Sequence, residues 1–231
     1  MANKFSSCRI SPLGDWTESQ PGHKDVDTMG SGSYGTVWLT GLSGAGKSTI
    51  ASGLHDLLSE VGIVSYLLDG DDLRNGLNSD LGFADRDRAE NVRRMGEVAV
   101  LFARSGCLTI VSAISPFAVD REKVRRRHQD LEVRFAEIHV TTHLGVCESR
   151  DPKGLYARAR RGELLFFTGV SHPYEIPESP ELALNTFGSP MDSVLEVFKY
   201  LKDAAFITDP CQRASKTATP AHRKQQHLFS R

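Results

Sequence analysis

The chain has 231 residues, a formal net charge of −1 and 39% hydrophobic residues. This length fits one α/β domain with irregular ends, and the near-neutral charge excludes the broadly basic surface of a nucleic-acid-binding protein. No apolar run approaches the ~18 residues of a membrane span, and residues 1–16 lack the apolar core of a secretory signal. Four scattered cysteines without a C-x-x-C pair predict free thiols in a reducing cytoplasm.

Residues 1–34 are rich in Gly, Ser, Pro and charged side chains, and they show no sustained periodicity. They therefore predict a flexible extension. Its end, Gly30–Val37, fits the protein-kinase glycine-loop pattern G-x-G-x-x-G-x-V. A protein kinase also needs H-R-D and D-F-G motifs, and neither tripeptide occurs in this chain. We interpret the stretch as small residues that precede a first strand.

The next stretch combines a strand, a glycine loop and a helix. The apolar run Val37–Leu39 predicts a buried strand, and apolar residues at helical spacing after residue 49 predict a helix. Between them, the sequence GLSGAGKS at 41–48 fits G-x-x-x-x-G-K-[ST] at every fixed position. This order predicts a nucleotide-polyphosphate site formed by Gly41, Leu42, Ser43, Gly44, Ala45, Gly46, Lys47, Ser48 and Thr49.

Backbone chemistry explains this spacing. Glycines let the backbone N–H groups approach a polyphosphate closely, and the following helix points its positive dipole end at the same anion. Lys47 is predicted to reach the β- and γ-phosphates, and the Ser48 hydroxyl to ligate Mg²⁺.

A second apolar run, Ile63–Leu68, predicts a buried parallel strand that ends at Asp69, Asp71 and Asp72. Ligands bind beyond the carboxyl ends of strands in open α/β sheets, so these acids should lie beside the phosphate loop. Asp69 is the candidate carboxylate near the nucleophile in phosphoryl transfer. The alternative is an Asp-rich turn in which some of the three acids are helix N-caps.

A turn-rich segment follows, and its mixture of arginine, asparagine and phenylalanine can hold an anion and stack a base. The helix after it carries Val92, Met95 and Ala99 on one face. Cys107–Val111 predicts a third buried strand without an acidic residue at its end, which points again to Asp69 or Asp71 as the acidic partner of the phosphate loop.

The last third of the chain predicts a charged surface helix over 120–130 and a fourth strand over 133–140. The basic segment, residues 150–162, is either a lid that closes over a triphosphate or a solvent-facing run of charge. An amphipathic helix is predicted over 191–201 and a disordered tail over 209–231. His222 and His227 in that tail lack further metal ligands.

These elements predict an α/β fold of the three-layer P-loop NTPase type over residues 35–208. A parallel sheet is flanked by helices, and the basic segment serves as a mobile lid.

With these residues assembled, the chain resembles the adenylylsulfate kinase family from about Thr36 to Ala204. The motifs that carry the resemblance are GLSGAGKST, LDGDDLRNGLNSDLGF, DRAENVRR, ISPF, RDPKGLYARAR and FTGVSHPYE. That family transfers the γ-phosphoryl group of ATP to the 3′-hydroxyl of adenosine 5′-phosphosulfate. The resemblance implies the same reaction here, with Mg²⁺, in a cytoplasmic homodimer.

The resemblance also implies roles for residues. Asp69 is the base that takes the 3′-hydroxyl proton and, with Ser48, a metal-side ligand; Lys47 is the second catalytic group. Phe83 and Phe167 sandwich the substrate adenine. The other acceptor-side positions are Asp71, Arg74, Arg88, Asn91, Ile114, Ser115, Lys153 and Leu155. The chain departs from the family's usual pattern at Asp72, Ala113 and Phe117.

Two alternatives stay open at this point. One is a P-loop kinase that acts on another nucleotide or a small hydroxyl acceptor; the paired aromatic residues and the arginines favour an adenine nucleotide with an anionic group. The other is a module that binds ATP without transferring phosphate, against which the intact Lys47, Ser48 and Asp69 speak.

Overall fold

A computed structural model describes residues 35–207. The predictions for 1–34 and 209–231 lie outside the described residues. The strands are β1 Gly35–Thr40, β2 Ser65–Asp69, β3 Leu108–Ser112, β4 Arg134–Val140 and β5 Leu182–Leu184. The helices are α1 Lys47–Glu60, α2 Gly70–Arg74, α3 Asp85–Arg104, α4 Ala118–Asp130, α5 Leu144–Arg150, α6 Leu155–Arg160 and α7 Pro190–Asp203.

The five strands form one parallel sheet in the order β2-β3-β1-β4-β5. The central strands are apolar because helices cover both of their faces. In the register of the sheet, Ser112 of β3 lies between Leu39 of β1 and Asp69 of β2. The ends of β1, β2 and β3 therefore meet at one edge of the sheet.

Helices cover the sheet on both sides, as the predicted three-layer fold requires. Leu54 of α1 and Val197 of α7 belong to one apolar cluster, and Met95 of α3 and Val124 of α4 belong to another. Adjacent residues of β1 divide between the two clusters, with Trp38 in the second and Leu39 in the first. This alternation is that of a strand buried on both faces.

Helix α1 ends at Glu60, and Gly62 follows its C-cap residue, Val61. This glycine has φ +74°, and the N–H of Ile63 donates to Leu58 O at 2.8 Å. This bond satisfies a carbonyl at the helix end, as in a Schellman motif.

The prediction for the second strand is partly wrong. It is parallel, but it begins at Ser65 and lies at the edge of the sheet. Among its residues only Leu68 is buried, whereas Tyr66 is 47% exposed and stacks on Phe102 with ring centroids 4.3 Å apart. An edge strand faces solvent, so its apolar residues need not mark a buried strand.

The charged helix over 120–130 is not simply a solvated face. In α4, Asp120, Arg121, Val124 and His128 are buried. Arg121 tolerates burial because its Nε donates to Glu137 Oε1 on β4 at 2.6 Å, and a buried charge is stable when it is paired. The sequence prediction missed β5, which has three residues and is too short to show periodicity.

Among the described residues, none of the helices has both the length and the apolar character to cross a membrane.

Candidate active site

The phosphate loop connects β1 to α1 through residues 41–46. Gly44 and Gly46 have φ values of +72° and +105°, which side chains with a Cβ rarely adopt. A Cβ on Gly44 would also lie 3.1 Å from Cys147 O. Helix α1 begins immediately afterwards at Lys47, so its free N–H groups and positive dipole end face the loop.

Lys47 is only 8% exposed, and its Nζ donates to Leu42 O at 2.8 Å. Burial lowers the pKa of Lys47 to about 8, against the opposing influence of nearby acidic groups that include Asp69. The ammonium is therefore charged at neutral pH but poorly solvated, and a bound polyanion would stabilise it.

Asp69, the last residue of β2, contacts the start of α2 and the first turn of α1. Its Oδ1 accepts from the N–H of Asp71 at 2.9 Å, which caps α2. Its Oδ2 accepts from Ser48 Oγ at 2.7 Å, and Ser48 Oγ lies 3.1 Å from Ser112 Oγ. One carboxylate thus serves as helix cap and as the acidic neighbour of the phosphate loop.

A cavity of about 690 Å³ opens above these residues, within the usual size range of small-molecule sites. All of the site residues predicted from sequence line it except Gly41 and Leu42. Gly41 instead packs against Val140, since a Cβ there would lie 2.8 Å from Val140 O. Leu42 contributes the carbonyl that Lys47 contacts.

On the predicted acceptor side, Phe83 is 60% exposed, and arginine guanidinium groups flank its ring. The Cζ atoms of Arg74 and Arg88 lie 4.6 and 5.8 Å from the ring centroid. Burial lowers the pKa of both arginines. Two cations beside an aromatic face form a suitable surface for an anionic, planar ligand.

Arg88 also connects the two aromatic walls. Its Nε donates to Phe83 O at 2.8 Å, its Nη1 to Thr168 Oγ1 at 3.0 Å and its Nη2 to Phe166 O at 2.6 Å. The next residue, Phe167, packs edge-on against Tyr156 with ring centroids 5.0 Å apart. The structure thus places Arg88 between the Phe83 and Phe167 segments.

The cavity floor is formed by the segment after β3. Ser115 is 3% exposed and has φ +40°. Its Oγ accepts from Trp38 Nε1 at 3.0 Å and donates to Thr40 Oγ1 at 2.9 Å. Nearby, Asn91 is held by Asn78, whose Nδ2 donates to Asn91 Oδ1 at 3.0 Å.

The basic segment divides into a part that lines the cavity and a part that does not. Arg150 and Lys153 line the cavity; Arg150 Nη1 donates to Gly44 O at 3.3 Å, and Lys153 pairs with Asp71. The hydrogen bond to Asp71 raises the pKa of Lys153. By contrast, Arg160 and Arg161 do not line the cavity and form exposed salt bridges with glutamates.

Sequence reasoning missed several cavity residues, which come from the end of β3, the loop that carries Phe167 and the start of α7. They are Ser112, Thr168, Thr186, Gly188, Ser189, Pro190 and Ser193. Thr168 lies within the motif FTGVSHPYE, but no motif marks the other positions. They reach the cavity only because the folded chain places these distant segments next to the phosphate loop.

Residues 33–185 match the model of the adenylylsulphate kinase family, and this match covers most of the chain. The chain belongs to the adenylylsulphate kinase family. It is 51% identical over 172 residues to the adenylyl-sulfate kinase of Geotalea daltonii, covering 74% of this chain and 84% of that one.

Solved structures of this family agree. The Mycobacterium tuberculosis APS kinase in complex with AMPPNP and APS is 50% identical, with a TM-score of 0.72 over 73% of this chain and 98% of that one. A hexameric APS kinase from Thiobacillus denitrificans is 34% identical, with a TM-score of 0.58 over 75% of this chain and 29% of that one. The predicted family and the P-loop NTPase fold are confirmed.

Proposed function

We propose that this chain transfers the γ-phosphoryl group of ATP to the 3′-hydroxyl of adenosine 5′-phosphosulfate (APS), giving 3′-phosphoadenosine 5′-phosphosulfate. The observation that carries the proposal is the hydrogen bond from Ser48 Oγ to Asp69 Oδ2 at 2.7 Å. It joins the phosphate loop to an acid inside a cavity whose other end is aromatic and cationic. Membership of the family supports the same reaction.

On the donor side, the N–H groups of the phosphate loop hold the β- and γ-phosphates, since a nest of amides at a helix N-terminus favours an anion. Lys47 supplies positive charge to the transferring group, and Arg150 lies against the same loop. Both cations stabilise the charge that spreads over the equatorial oxygens of the transition state.

On the acceptor side, Phe83 and Phe167 hold the adenine ring, and Arg74, Arg88 and Asn91 lie toward the phosphosulfate and ribose. A second group of residues completes this pocket, namely Asp71, Ile114, Ser115, Lys153 and Leu155. A planar base between aromatic rings and an anion beside guanidinium groups match the chemistry of this end of the cavity.

In the reaction, the 3′-oxygen of APS forms a bond to the γ-phosphorus of ATP. The bond from that phosphorus to the β,γ-bridging oxygen breaks at the same time. The hydroxyl proton passes to the Asp69 carboxylate, and ADP leaves. A carboxylate that accepts this proton and positions the nucleophile is the usual protein contribution to phosphoryl transfer.

We propose Mg²⁺ as the metal ion, with Ser48 and Asp69 as its protein ligands. Their oxygens, close to Ser112 Oγ, are the hard donors that Mg²⁺ prefers. Within 35–207 there is no group of three His, Cys, Asp or Glu side chains that could hold a metal. This agrees with an ion held largely by substrate phosphates and water. When bound, it neutralises phosphate charge.

We further propose that the kinase domain spans residues 35–208, that the basic segment closes as a lid, and that the enzyme is a cytoplasmic homodimer. Lys153 and Arg150, which contact other parts of the cavity, support the lid. Sedimentation of the purified chain tests the dimer, and turnover by a chain cut to 35–208 tests the domain boundary.

The decisive experiment incubates the protein with radiolabelled ATP and Mg²⁺ against a panel of acceptors: APS, AMP, gluconate and none. Label transfer to APS alone is the expected result, and Lys47→Ala provides the inactive control. Transfer to a different acceptor would favour the alternative P-loop kinase. ATP binding without transfer to any acceptor would favour the binding module.

A further inference from the structure

Arg121 lies outside the cavity but contacts two of the segments that form its acceptor end. We propose that Arg121 is a positioning residue for the acceptor nucleotide, holding the segment after β3 and the Phe167 loop in register. The proposal rests on the proposed function, since it assigns APS to this end of the cavity. Arg121 itself does not line the cavity.

The first contact is with the cavity floor. Arg121 Nη1 donates to Ser115 O at 2.7 Å, and Arg121 is only 2% exposed. Ser115 has φ +40°, in the left-handed region that residues with a Cβ rarely adopt. Such a conformation persists only where the surroundings hold it, and the buried guanidinium is one such restraint.

The second contact is with the loop that carries Phe167. Arg121 Nη2 donates to Glu175 O at 2.8 Å. Glu175 in turn donates its N–H to Pro116 O at 2.8 Å, and its Oε2 accepts from the N–H of Ala118 at 2.6 Å. The cavity floor and the loop are therefore joined by hydrogen bonds in one small region, and Arg121 contacts both of them.

The restraint reaches Phe167 through a short turn. Thr168 and His172 form an isolated parallel bridge, and the N–H of Gly169 donates to His172 O at 2.7 Å. The N–H of Phe167 donates to Ser171 Oγ at 3.0 Å. Because the turn is closed by its own hydrogen bonds, fixing it at Glu175 also fixes the ring of Phe167 against the cavity.

Charge explains why this position takes arginine. Arg121 Nε donates to Glu137 Oε1 at 2.6 Å, so all three kinds of guanidinium nitrogen are used. A lysine could keep the ion pair with Glu137, but its ammonium cannot span two carbonyls and a carboxylate in one plane.

The chain provides a matched control one helical turn away. Arg125 also contacts Glu137, with Nη2 to Oε2 at 3.2 Å, and pairs with Glu181. Arg125 contacts neither Ser115 nor Glu175. A purely structural effect of losing a guanidinium beside Glu137 should therefore appear when either arginine is replaced. An effect on acceptor binding should appear only when Arg121 is replaced.

The test compares Arg121→Lys and Arg125→Lys in steady-state kinetics with each substrate varied. We expect Arg121→Lys to raise the KM for APS about tenfold, from loss of charged hydrogen bonds to carbonyls. The KM for ATP should stay within about twofold in both variants, and the KM for APS should stay within about twofold in Arg125→Lys.

If Arg121→Lys fails to fold, the double variant Arg121→Met with Glu137→Met leaves no orphaned charge from the pair and should show the same split between substrates. The inference is overturned if the KM for APS does not change, if both KM values rise together, or if Arg125→Lys gives the same shift. A wild-type chain that does not phosphorylate APS instead overturns the proposed function, before any variant is made.

Discussion

Ser48 on the first turn of α1 donates its hydroxyl to the carboxylate of Asp69 at the end of β2, with Oγ and Oδ2 2.7 Å apart. The residues are separated by 21 positions in sequence and belong to strand–helix units that are not adjacent in the sheet. The same hydroxyl is 3.1 Å from Ser112 Oγ. This contact couples the donor-binding loop to the proposed base.

Replacing Asp69 by Asn tests that coupling. The amide preserves the shape and the cap of α2 but cannot take a proton, so kcat should fall at least about 100-fold, the usual contribution of a general base. ATP affinity should change far less, as measured by equilibrium titration. Asp72→Asn, an exposed neighbour that does not line the cavity, is the control and should keep full turnover. Full turnover in the Asp69 variant would remove it as base.

Lys47 should make ATP binding depend on pH. Its pKa is lowered to about 8 by burial, and a bound polyphosphate favours the charged form. Binding should therefore take up protons near pH 8, and affinity should weaken as pH rises through that value. Calorimetric titration in buffers of different ionisation enthalpy measures the uptake. Lys47→Met should abolish this uptake; an unchanged value in that variant would assign the proton to another group.

Phe83 should act on the acceptor alone. Removing its ring by Phe83→Ala takes away a stacking surface for adenine, worth ~1–3 kcal/mol for a base on an aromatic ring, so the KM for APS should rise about tenfold or more. The KM for ATP should stay nearly constant. Leu165→Ala, at a site 76% exposed and away from the cavity, is the matched control. Equal changes in both KM values would argue against stacking.

His128 should make the fold acid-sensitive. It is fully buried between α4 and β1, with Nε2 2.9 Å from Thr36 Oγ1, and burial lowers its pKa below 6.5. The unfolded chain therefore binds the proton first as pH falls, so the free energy of unfolding should decrease below about pH 6.5. Denaturant melts of wild type and His128→Gln measure this.

In His128→Gln, the free energy of unfolding should fall less steeply as the pH decreases. Some pH dependence should remain, because burial also lowers the pKa of His139. Identical slopes in wild type and His128→Gln would exclude His128 as the titrating group.

The donor side of the site was largely predictable from sequence, because the phosphate loop needs specific residues at fixed spacing. Glycines at positions such as 44 and 46 have backbone angles that few other residues adopt. Asp69 was also predictable, since the end of a parallel strand lies next to the loop.

The rest depends on long-range contacts. The burial of Arg121 requires Glu137 on another element. The hydrogen bonds from Arg88 to Phe166 and Thr168 join residues that are 78 and 80 positions apart in sequence. The edge position of β2 follows from strand order, which hydrophobicity along the chain does not encode. A three-residue strand such as β5 forms only because β4 offers it a partner.

Strand β3 lies between the strand that leads into the phosphate loop and the strand that ends at Asp69. The backbone of the sheet therefore fixes the separation between the proposed donor and acceptor halves at two inter-strand spacings, ~10 Å in total. Substitutions of the aromatic and cationic side chains that line the cavity can alter which alcohol is selected and leave this separation unchanged. Changes in acceptor preference can thus evolve separately from the reach of phosphoryl transfer.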